Sequence, residues 1–168
     1  MNTCWAMLDR FPRRVLLLVS LACFCMLAFG LYLQHSLGLE PCPMCIVQRY
    51  AFILVALLAL LGGLVGSART RGGLLLVTLV AAVFGAFVAA RQSWLQWFPP
   101  EVYACGRDFY GMIENFPLKR AIPMIFRGSG DCSVVDWAFL GLSIANWSFL
   151  VFVGLAGLAL LMLWRRQR

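Results

Sequence analysis

Four long apolar runs constrain the fold of this chain more than any other feature. They cover about residues 15–34, 46–66, 73–91 and 147–164, and each is close to the roughly 20 apolar residues that a membrane-spanning helix requires. A soluble domain does not bury this much apolar surface, since 62% of the 168 residues are hydrophobic and only 12% are charged. The first run is too long for the core of a signal peptide, and no A-x-A-like cleavage site follows it.

The distribution of charge predicts the topology. If the chain crosses the membrane at each run, eight basic residues and one acidic residue lie on one side of the membrane. Six basic and six acidic residues lie on the other side, so that the whole net charge of +7 lies on the first side. The positive-inside rule makes that side cytoplasmic. Nucleic-acid binding is the rival interpretation of a basic chain, but these arginines flank the runs and do not form one patch. The eight basic residues are Arg10, Arg13, Arg14, Arg69, Arg71, Arg165, Arg166 and Arg168.

The sequence therefore predicts a single all-α membrane domain over residues 1–168, a bundle of four transmembrane helices with both termini cytoplasmic. This topology leaves two loops on the outer side, a short one at about 35–45 and a long one at about 94–146. Apolar and basic residues alternate in the long loop, which favours a short amphipathic helix on the outer membrane surface. An ordinary loop packed on the bundle is the alternative. An aromatic belt is predicted at the outer boundary from Trp94, Trp97, Phe98 and Trp147.

Seven cysteines are divided between the two sides. Cys4 lies on the predicted cytoplasmic side, and Cys23 and Cys25 lie within the first run, where we interpret all three as small apolar fillers. The other four lie on the outer side, which permits disulfides if it belongs to a bacterial-type envelope. Two disulfides are expected there, with three pairings open. These outer cysteines are Cys42, Cys45, Cys105 and Cys132.

The Cys42-Pro-Met-Cys45 motif is a candidate for a reactive dithiol at the membrane edge. Pro41 and Pro43 keep the approach extended, so that Cys45 is expected in or next to the first turn of the second helix. Unpaired backbone N–H groups favour an anion there, and Arg49 lies one turn further on the same face. Both features favour the thiolate form of Cys45. The alternative for Arg49 is an ordinary arginine that extends to the headgroups from near a helix end.

Residues 39–49, Leu-Glu-Pro-Cys-Pro-Met-Cys-Ile-Val-Gln-Arg, resemble the first outer loop of the DsbB family of disulfide bond formation proteins. In the second half, Cys105, the Gly-Ser-Gly-Asp-Cys block that ends at Cys132, and Trp137 agree with the same family. The resemblance covers nearly the whole chain. One position departs from it: a member of the family has a histidine thirteen residues before the first cysteine of the second loop, where this chain has Gln92.

The resemblance implies an inner-membrane oxidoreductase that reoxidises a periplasmic DsbA-like dithiol oxidase and passes the electrons to ubiquinone or menaquinone. The DsbA–DsbB–quinone route is itself the general example of how the periplasm is kept oxidising. It further implies two redox-active disulfides, Cys42–Cys45 and Cys105–Cys132, with a transient bond between Cys132 and Cys42. Arg49 would bind the quinone and stabilise the Cys45 thiolate, and no metal is required. By its position, Gln92 is a second candidate for contact with the quinone.

Three other interpretations are open. The first is a zinc site formed by the four outer cysteines, but Cys105 and Cys132 are separated by 26 residues and the only histidine is His35. A purely structural protein stapled by two disulfides leaves the proline-flanked dithiol and Arg49 unexplained. A vitamin K epoxide reductase-type enzyme also uses four spans, a CxxC motif and a quinone, but its CxxC lies late in the chain, whereas this one precedes the second run.

Overall fold

The computed structural model describes residues 11–38, 41–99, 132–133, 135 and 137–166. Each of the four helices in this part is long and apolar enough to span a membrane, which confirms the predicted all-α, multi-pass architecture. Cys105 and the predicted amphipathic surface helix lie outside the described residues. The elements are α1 (Pro12–Leu37), α2 (Pro43–Leu64), α3 (Ala68–Trp97), β1 (Ala138–Phe139), β2 (Leu142–Ser143) and α4 (Ile144–Arg166).

The ends of the helices follow from local sequence. Pro12 and Pro43 occupy the first turns of α1 and α2, where proline lacks only an N–H that would have no helical partner. Gly38 ends α1 in the left-handed conformation, with φ of 64°. Three helices extend beyond both ends of their apolar runs, whereas α2 begins earlier than its run but ends at Leu64, and α3 continues past residue 91 to Trp97. The long outer loop therefore begins after α3 and not at residue 94.

Each helix packs mainly against its neighbours in sequence, α1 on α2, α2 on α3 and α3 on α4. Among the described residues, α1 and α4 contact each other only sparsely, so the bundle is open along that seam. We call the end at which α1 and α3 finish and α2 and α4 begin (Leu37, Trp97, Pro43, Ile144) the cysteine end. The opposite end, at which α1 and α3 begin and α2 and α4 finish (Pro12, Ala68, Leu64, Arg166), is the arginine end.

The middle of the bundle is closed by two phenylalanines on opposite helices. Phe52 of α2 and Phe152 of α4 stack with their ring centroids 4.0 Å apart. Gly85 of α3 makes this possible, because a Cβ atom at that position would collide with the Phe152 ring. Small residues elsewhere on α3, such as Ala82 and Ala89, are fully buried and let the helices approach closely. This packing fixes the helices below the cysteine end.

A two-stranded antiparallel hairpin precedes α4 and was not expected from the sequence. Ala138 pairs with Ser143, and Phe139 pairs with Leu142. Leu140 and Gly141 both have positive φ, 52° and 76°, as the central residues of a type I′ turn require. The hairpin places aromatic side chains over the cysteine end.

Candidate functional site

Cys42 caps the N-terminus of α2. Its backbone is extended, with φ of −64° and ψ of 160°, and its Sγ atom accepts a hydrogen bond from the Cys45 backbone N–H at 3.4 Å. Since Pro43 and Met44 form the first turn, the two sulfur atoms meet at 2.9 Å. The sequence argument assigned the anion-stabilising helix terminus to Cys45, whereas the structure directs this N–H to Cys42. The N-terminus of α2 therefore interacts with both cysteines of the dithiol and not with Cys45 alone.

Cys132 packs beside Cys42, although 90 residues of chain separate the two positions. Both are almost completely buried, in one cluster with Met44, Val88 and Leu95. Side-chain hydrogen bonds with Cys132 and with Cys45, followed by burial, raise the pKa of the Cys42 thiol far above its usual range. Cys42 therefore keeps its proton when reduced. The arrangement brings three of the four predicted redox cysteines together, and the pairing of their disulfides stays a prediction.

Gln92 of α3 binds both sulfur atoms of the dithiol. Its Nε2 atom donates to Cys45 Sγ at 3.1 Å and to Cys42 Sγ at 3.4 Å. Its Oε1 atom accepts from Gln48 Nε2 at 2.6 Å, and both glutamines are 4% exposed. Because the Gln48 amide occupies the oxygen, the Gln92 NH₂ group is held towards the sulfurs. Gln92 thus contacts the reactive atoms directly, through a neutral donor.

Gln48 was not singled out by sequence reasoning. The available signal was a polar amide next to the start of an apolar run, since polar groups within membrane spans are costly and tend to be functional. Its partner Gln92 lies 44 positions away, so the pairing depends on how α2 packs against α3. Leaving either buried amide unpaired would cost about 1–3 kcal/mol, which makes the pair a strong constraint on the site.

Arg49 reaches from α2 to the end of α1. Its Nη1 atom donates to Gln34 Oε1 at 2.6 Å, and the side chain is half-buried. Gln34 is a second residue that sequence reasoning missed, because it is the last residue of the first apolar run and resembles an ordinary boundary residue. The contact holds the guanidinium at the cysteine end, on the same cavity as Cys45. The predicted proximity of Arg49 and Cys45 on one face of α2 is therefore present in the structure.

A cavity of about 560 Å³ opens beside the dithiol, between α1 and α4 and below the hairpin. A minority of its lining is polar, including the dithiol, Gln92 and Arg49, and the rest is apolar and aromatic. Clefts of this size and composition suit a small, largely apolar ligand with a few polar atoms. The polar lining comes from Gln34, Cys42, Cys45, Gln48, Arg49, Gln92, Gln96, Ser143 and Ser148, and the aromatic lining from Phe29, Phe52, Trp137, Phe139 and Trp147.

Aromatic rings form the outer wall of this cavity. Trp137 lies edge-on to Phe29 of α1 at a centroid distance of 6.0 Å and stacks with Phe139 of the hairpin at 6.1 Å. Trp147 Nε1 donates to the Phe139 carbonyl oxygen at 3.1 Å, which ties the hairpin to α4. Trp147, predicted as part of a membrane-boundary belt, therefore also lines the cavity. Through these rings, the hairpin and Trp137 connect α1 with α4 over the cavity.

Comparison with known proteins matches this architecture to one family. The profile described as Disulfide bond formation protein DsbB matches residues 12–162. A Disulfide bond formation protein B from a Polaromonas species is 68% identical over 167 residues, covering 95% of this chain and 96% of the relative. The protein of the same name from Paracidovorax citrulli is 65% identical, covering 96% and 92%. A relative of the same name from an Azoarcus species is 56% identical, covering 95% and 97%.

Proposed function

Because the chain belongs to the DsbB family of disulfide bond formation proteins, we propose that it moves electrons from a DsbA-like dithiol protein to a quinone in the bilayer. Membership gives the general role, that of a multi-pass membrane oxidoreductase in disulfide bond formation. The proposal adds the donor and the acceptor. The observation that carries it is the position of Cys45, whose sulfur lines an apolar, membrane-level cavity together with Arg49.

The proposed cycle begins at the cysteine pair in the long outer loop. A thiolate of the reduced partner attacks Cys105 of the Cys105–Cys132 disulfide, and Cys132 leaves as a thiolate. Cys132 then attacks Cys42 of the Cys42–Cys45 disulfide, so that a bond between the two loops forms and Cys45 leaves as a thiolate. The second thiol of the partner resolves the mixed disulfide, which releases oxidised partner and a Cys105 thiol. The contact between Cys132 and Cys42 supports the middle step.

The residues around Cys45 suit the final step. A quinone bound in the cavity would supply the electron sink, accepting two electrons and two protons and leaving as quinol. Gln92 donates to the Cys45 sulfur and stabilises the thiolate that the previous step releases. Arg49, held by Gln34, supplies a permanent positive charge at the same cavity for a quinone oxygen. Cys105 attacks Cys132 of the bond between the loops, which restores Cys105–Cys132 and frees Cys42 as a thiol. Cys42 and Cys45 would then re-form their disulfide as their two electrons and two protons pass to the quinone.

The high pKa of the Cys42 thiol supports a division of labour between the two cysteines. Hydrogen bonds with Cys132 and Cys45, together with burial, keep Cys42 protonated when reduced. Cys45 is therefore the sulfur suited to carry the negative charge beside Gln92. Cys42 instead alternates between two sulfur partners, Cys45 and Cys132, both of which lie against it. The structure of the site thus matches the two disulfide exchanges that the proposal requires of Cys42.

We further propose that the membrane is the bacterial inner membrane and that the cysteine end faces the periplasm. Support comes from six arginines that lie at the opposite end and would be retained on the cytoplasmic side, namely Arg13, Arg14, Arg69, Arg71, Arg165 and Arg166. A membrane-impermeant thiol reagent applied to intact spheroplasts tests this. Reaction of reduced Cys45 or Cys42 from outside is expected, whereas labelling that requires inside-out vesicles would contradict the orientation.

Turnover in defined vesicles tests the whole proposal. Full-length protein in vesicles with ubiquinone or menaquinone is expected to oxidise many equivalents of a reduced DsbA-like protein and to form one quinol for each. In vesicles depleted of quinone and of oxygen, oxidation should stop after the two protein disulfides are consumed. Continued turnover without any other acceptor would sink the proposal. Comparison of the two quinones also identifies the preferred acceptor.

A further inference from the structure

A second polar cluster lies at the arginine end, at the opposite end of α2 from the dithiol. Arg13 comes from the first turn of α1, Arg71 from the start of α3, and Arg166 from the last turn of α4. The three side chains therefore belong to three different helices, and they meet where α2 ends. No step of the proposed redox cycle uses them.

Two of these guanidinium groups are held by the C-terminal carbonyl groups of α2. Arg71 Nε donates to the Gly62 oxygen at 3.3 Å. Its Nη2 atom donates to the Val65 oxygen at 3.1 Å and to the Gly66 oxygen at 3.4 Å. Arg13 Nη2 donates to the same Val65 oxygen at 3.2 Å. A helix end leaves such carbonyl groups without partners, so these bonds fix two positive charges side by side.

The third guanidinium lies directly on the backbone of α3. A Cβ atom at Gly72 would collide with the Arg166 guanidinium, so glycine is what allows this side chain to lie there. The Arg166 guanidinium thus lies over the turn of α3 that carries Arg71. The positive charges of Arg13 and Arg166 both act on Arg71.

The described residues at the arginine end include no acidic side chain. The distribution of charge along the sequence places a single acid, Asp9, at this end against eight basic residues. Three neighbouring cations with so little negative charge near them repel one another. A bound anion would relieve that repulsion.

We infer that Arg13, Arg71 and Arg166 bind a phosphate-bearing anion at the arginine end. The planar guanidinium fork matches phosphate oxygens, and the carbonyl contacts to α2 leave Nη1 of Arg71 and Nη1 and Nε of Arg13 without a hydrogen bond inside the described part of the chain. A lipid headgroup and inorganic phosphate both carry this chemistry. Exposed apolar side chains next to the cluster, Leu64 on α2 and Leu160 on α4, favour the lipid because they offer a surface for its acyl chains.

Lipid binding by matched double variants tests this inference. The full-length protein is purified in a neutral detergent and titrated with phosphatidylglycerol, and retained lipid is counted by native mass spectrometry. The variant Arg13→Gln with Arg166→Gln removes two of the three cations, both exposed. The control, Arg14→Gln with Arg69→Gln, removes the same charge from the same end but leaves the cluster intact, since Arg14 stacks on Phe11 instead.

Wild type and control are expected to retain one phosphatidylglycerol in preference to zwitterionic phosphatidylcholine. The cluster variant should bind phosphatidylglycerol roughly twenty-fold more weakly, since each arginine near an anionic lipid surface contributes about a factor of five. Equal weakening in both double variants would overturn the inference, as would equal binding of the two lipids by wild type. If the double variant does not fold, Arg166→Gln against Arg69→Gln gives the same comparison, with an expected loss of about fivefold.

Inorganic phosphate separates the two sources of the anion. Displacement of phosphatidylglycerol by millimolar phosphate from wild type, but not from the cluster variant, would identify free phosphate as a sufficient ligand of the site. Retention of the lipid under the same conditions would identify the whole headgroup with its acyl chains as the ligand. Phosphate binding that is identical in wild type and the cluster variant would contradict a site at these three arginines.

Discussion

The two ends of α2 satisfy their unpaired backbone groups with opposite chemistry. At the cysteine end, the free N–H of Cys45 donates to Cys42 Sγ. At the arginine end, the free carbonyl groups of Gly62 and Val65 accept from guanidinium groups. The cysteine end therefore contains sulfur atoms whose charge changes during the proposed cycle, and the arginine end contains permanent cations. The polarity of a single helix thus separates a reactive end from an electrostatically fixed one.

The donors at the two ends differ for a physical reason. In the described structure, the reactive sulfurs receive hydrogen bonds from a neutral amide, that of Gln92, which is itself oriented by Gln48. A neutral donor stabilises a thiolate when one is present and leaves no unbalanced buried charge when the sulfurs are joined. Arg49 lines the same cavity and is paired with Gln34. Permanent charge is thus kept at the wall of the cavity, where a ligand can meet it.

Removal of Cys45 should have the largest effect. Cys45→Ser is expected to lower quinone-dependent turnover by at least about a thousandfold, because the thiolate that passes electrons onward is lost. The variant should stop after one equivalent of reduced partner with Cys105 and Cys132 as free thiols, because Cys42 has no disulfide left for Cys132 to attack, and disulfide mapping would detect this state. Cys25→Ser, at an exposed position on α1, is the matched control and should turn over normally. Quinol formation by Cys45→Ser close to the wild-type rate would remove Cys45 from its assigned role.

Loss of the fixed charge at the cavity should have the next largest effect. Arg49→Ala is expected to lower kcat/KM for quinone roughly tenfold to a hundredfold, since a hydrogen bond from a charged group contributes about 1.5–3 kcal/mol. The loss should lie mainly in KM for quinone, while the first exchange with the reduced partner keeps its rate. Arg91→Ala removes the same charge from α3 and serves as the control. If both variants raise KM for quinone equally, the effect results from the loss of one positive charge in general and not from a specific contact of Arg49.

The fold could be predicted from the apolar runs because lipid requires each span to be a continuous apolar helix. The ends of the helices could not be predicted in the same way. The third apolar run stops at residue 91 because Gln92, Ser93 and Gln96 are polar, yet α3 continues to Trp97 and buries Gln92 and Ser93. The polar residues after position 91 therefore belong to the candidate site on α3 and do not indicate the end of the helix. The hairpin was missed because Leu140 adopts a positive φ that leucine rarely takes.

The site was predictable where its residues are close in sequence. Cys42, Cys45 and Arg49 lie within one segment of α2, so helical spacing alone brings them together. Gln48 and Gln34 were missed because their partners lie on other helices, 44 and 15 positions away. Gln92 was predicted as a site residue only because it aligns with a histidine in a member of the family. Its hydrogen bonds to the two sulfur atoms depend on how α3 packs against α2. Tertiary contacts of this kind leave no periodic signal in one sequence.

The glutamine pair should have a smaller effect that a double-mutant cycle can resolve. Gln92→Leu is expected to slow quinone reduction about tenfold, because the Cys45 thiolate loses a donor worth about 1–1.5 kcal/mol. Gln48→Leu should have a weaker effect, since Gln48 acts through the orientation of Gln92. The double variant should be no slower than Gln92→Leu alone. Additive losses would show that Gln48 acts independently.

Replacement of Gln92 by histidine sharpens the same test. A member of the family has histidine at this position, and a neutral imidazole also offers one N–H donor. Gln92→His should therefore recover most of the rate lost in Gln92→Leu, and protonation of the ring at low pH should stabilise the Cys45 thiolate further, because imidazolium is a charged donor. An ultraviolet thiolate signal from the Cys42→Ser background reports the charge on Cys45 directly. A signal that is the same for glutamine, histidine and leucine at position 92 would contradict the role of this side chain as a donor to sulfur.

The smallest effect is expected where a helix N-terminus carries an ordinary cap. Ser67 begins α3 at the arginine end, and its Oγ atom accepts from the Thr70 backbone N–H at 3.5 Å. Ser67→Ala should lower the free energy of unfolding by about 0.5–1 kcal/mol, as loss of such a cap usually does, and should leave quinone turnover unchanged. Ser67→Asp keeps an acceptor and should retain stability. Denaturant unfolding followed by circular dichroism measures both. Cys42 occupies the same capping position on α2 as Ser67 does on α3. A loss of quinone turnover in Ser67→Ala would show that the N-termini of α2 and α3 are coupled. The cysteine end would then not be independent of the arginine end.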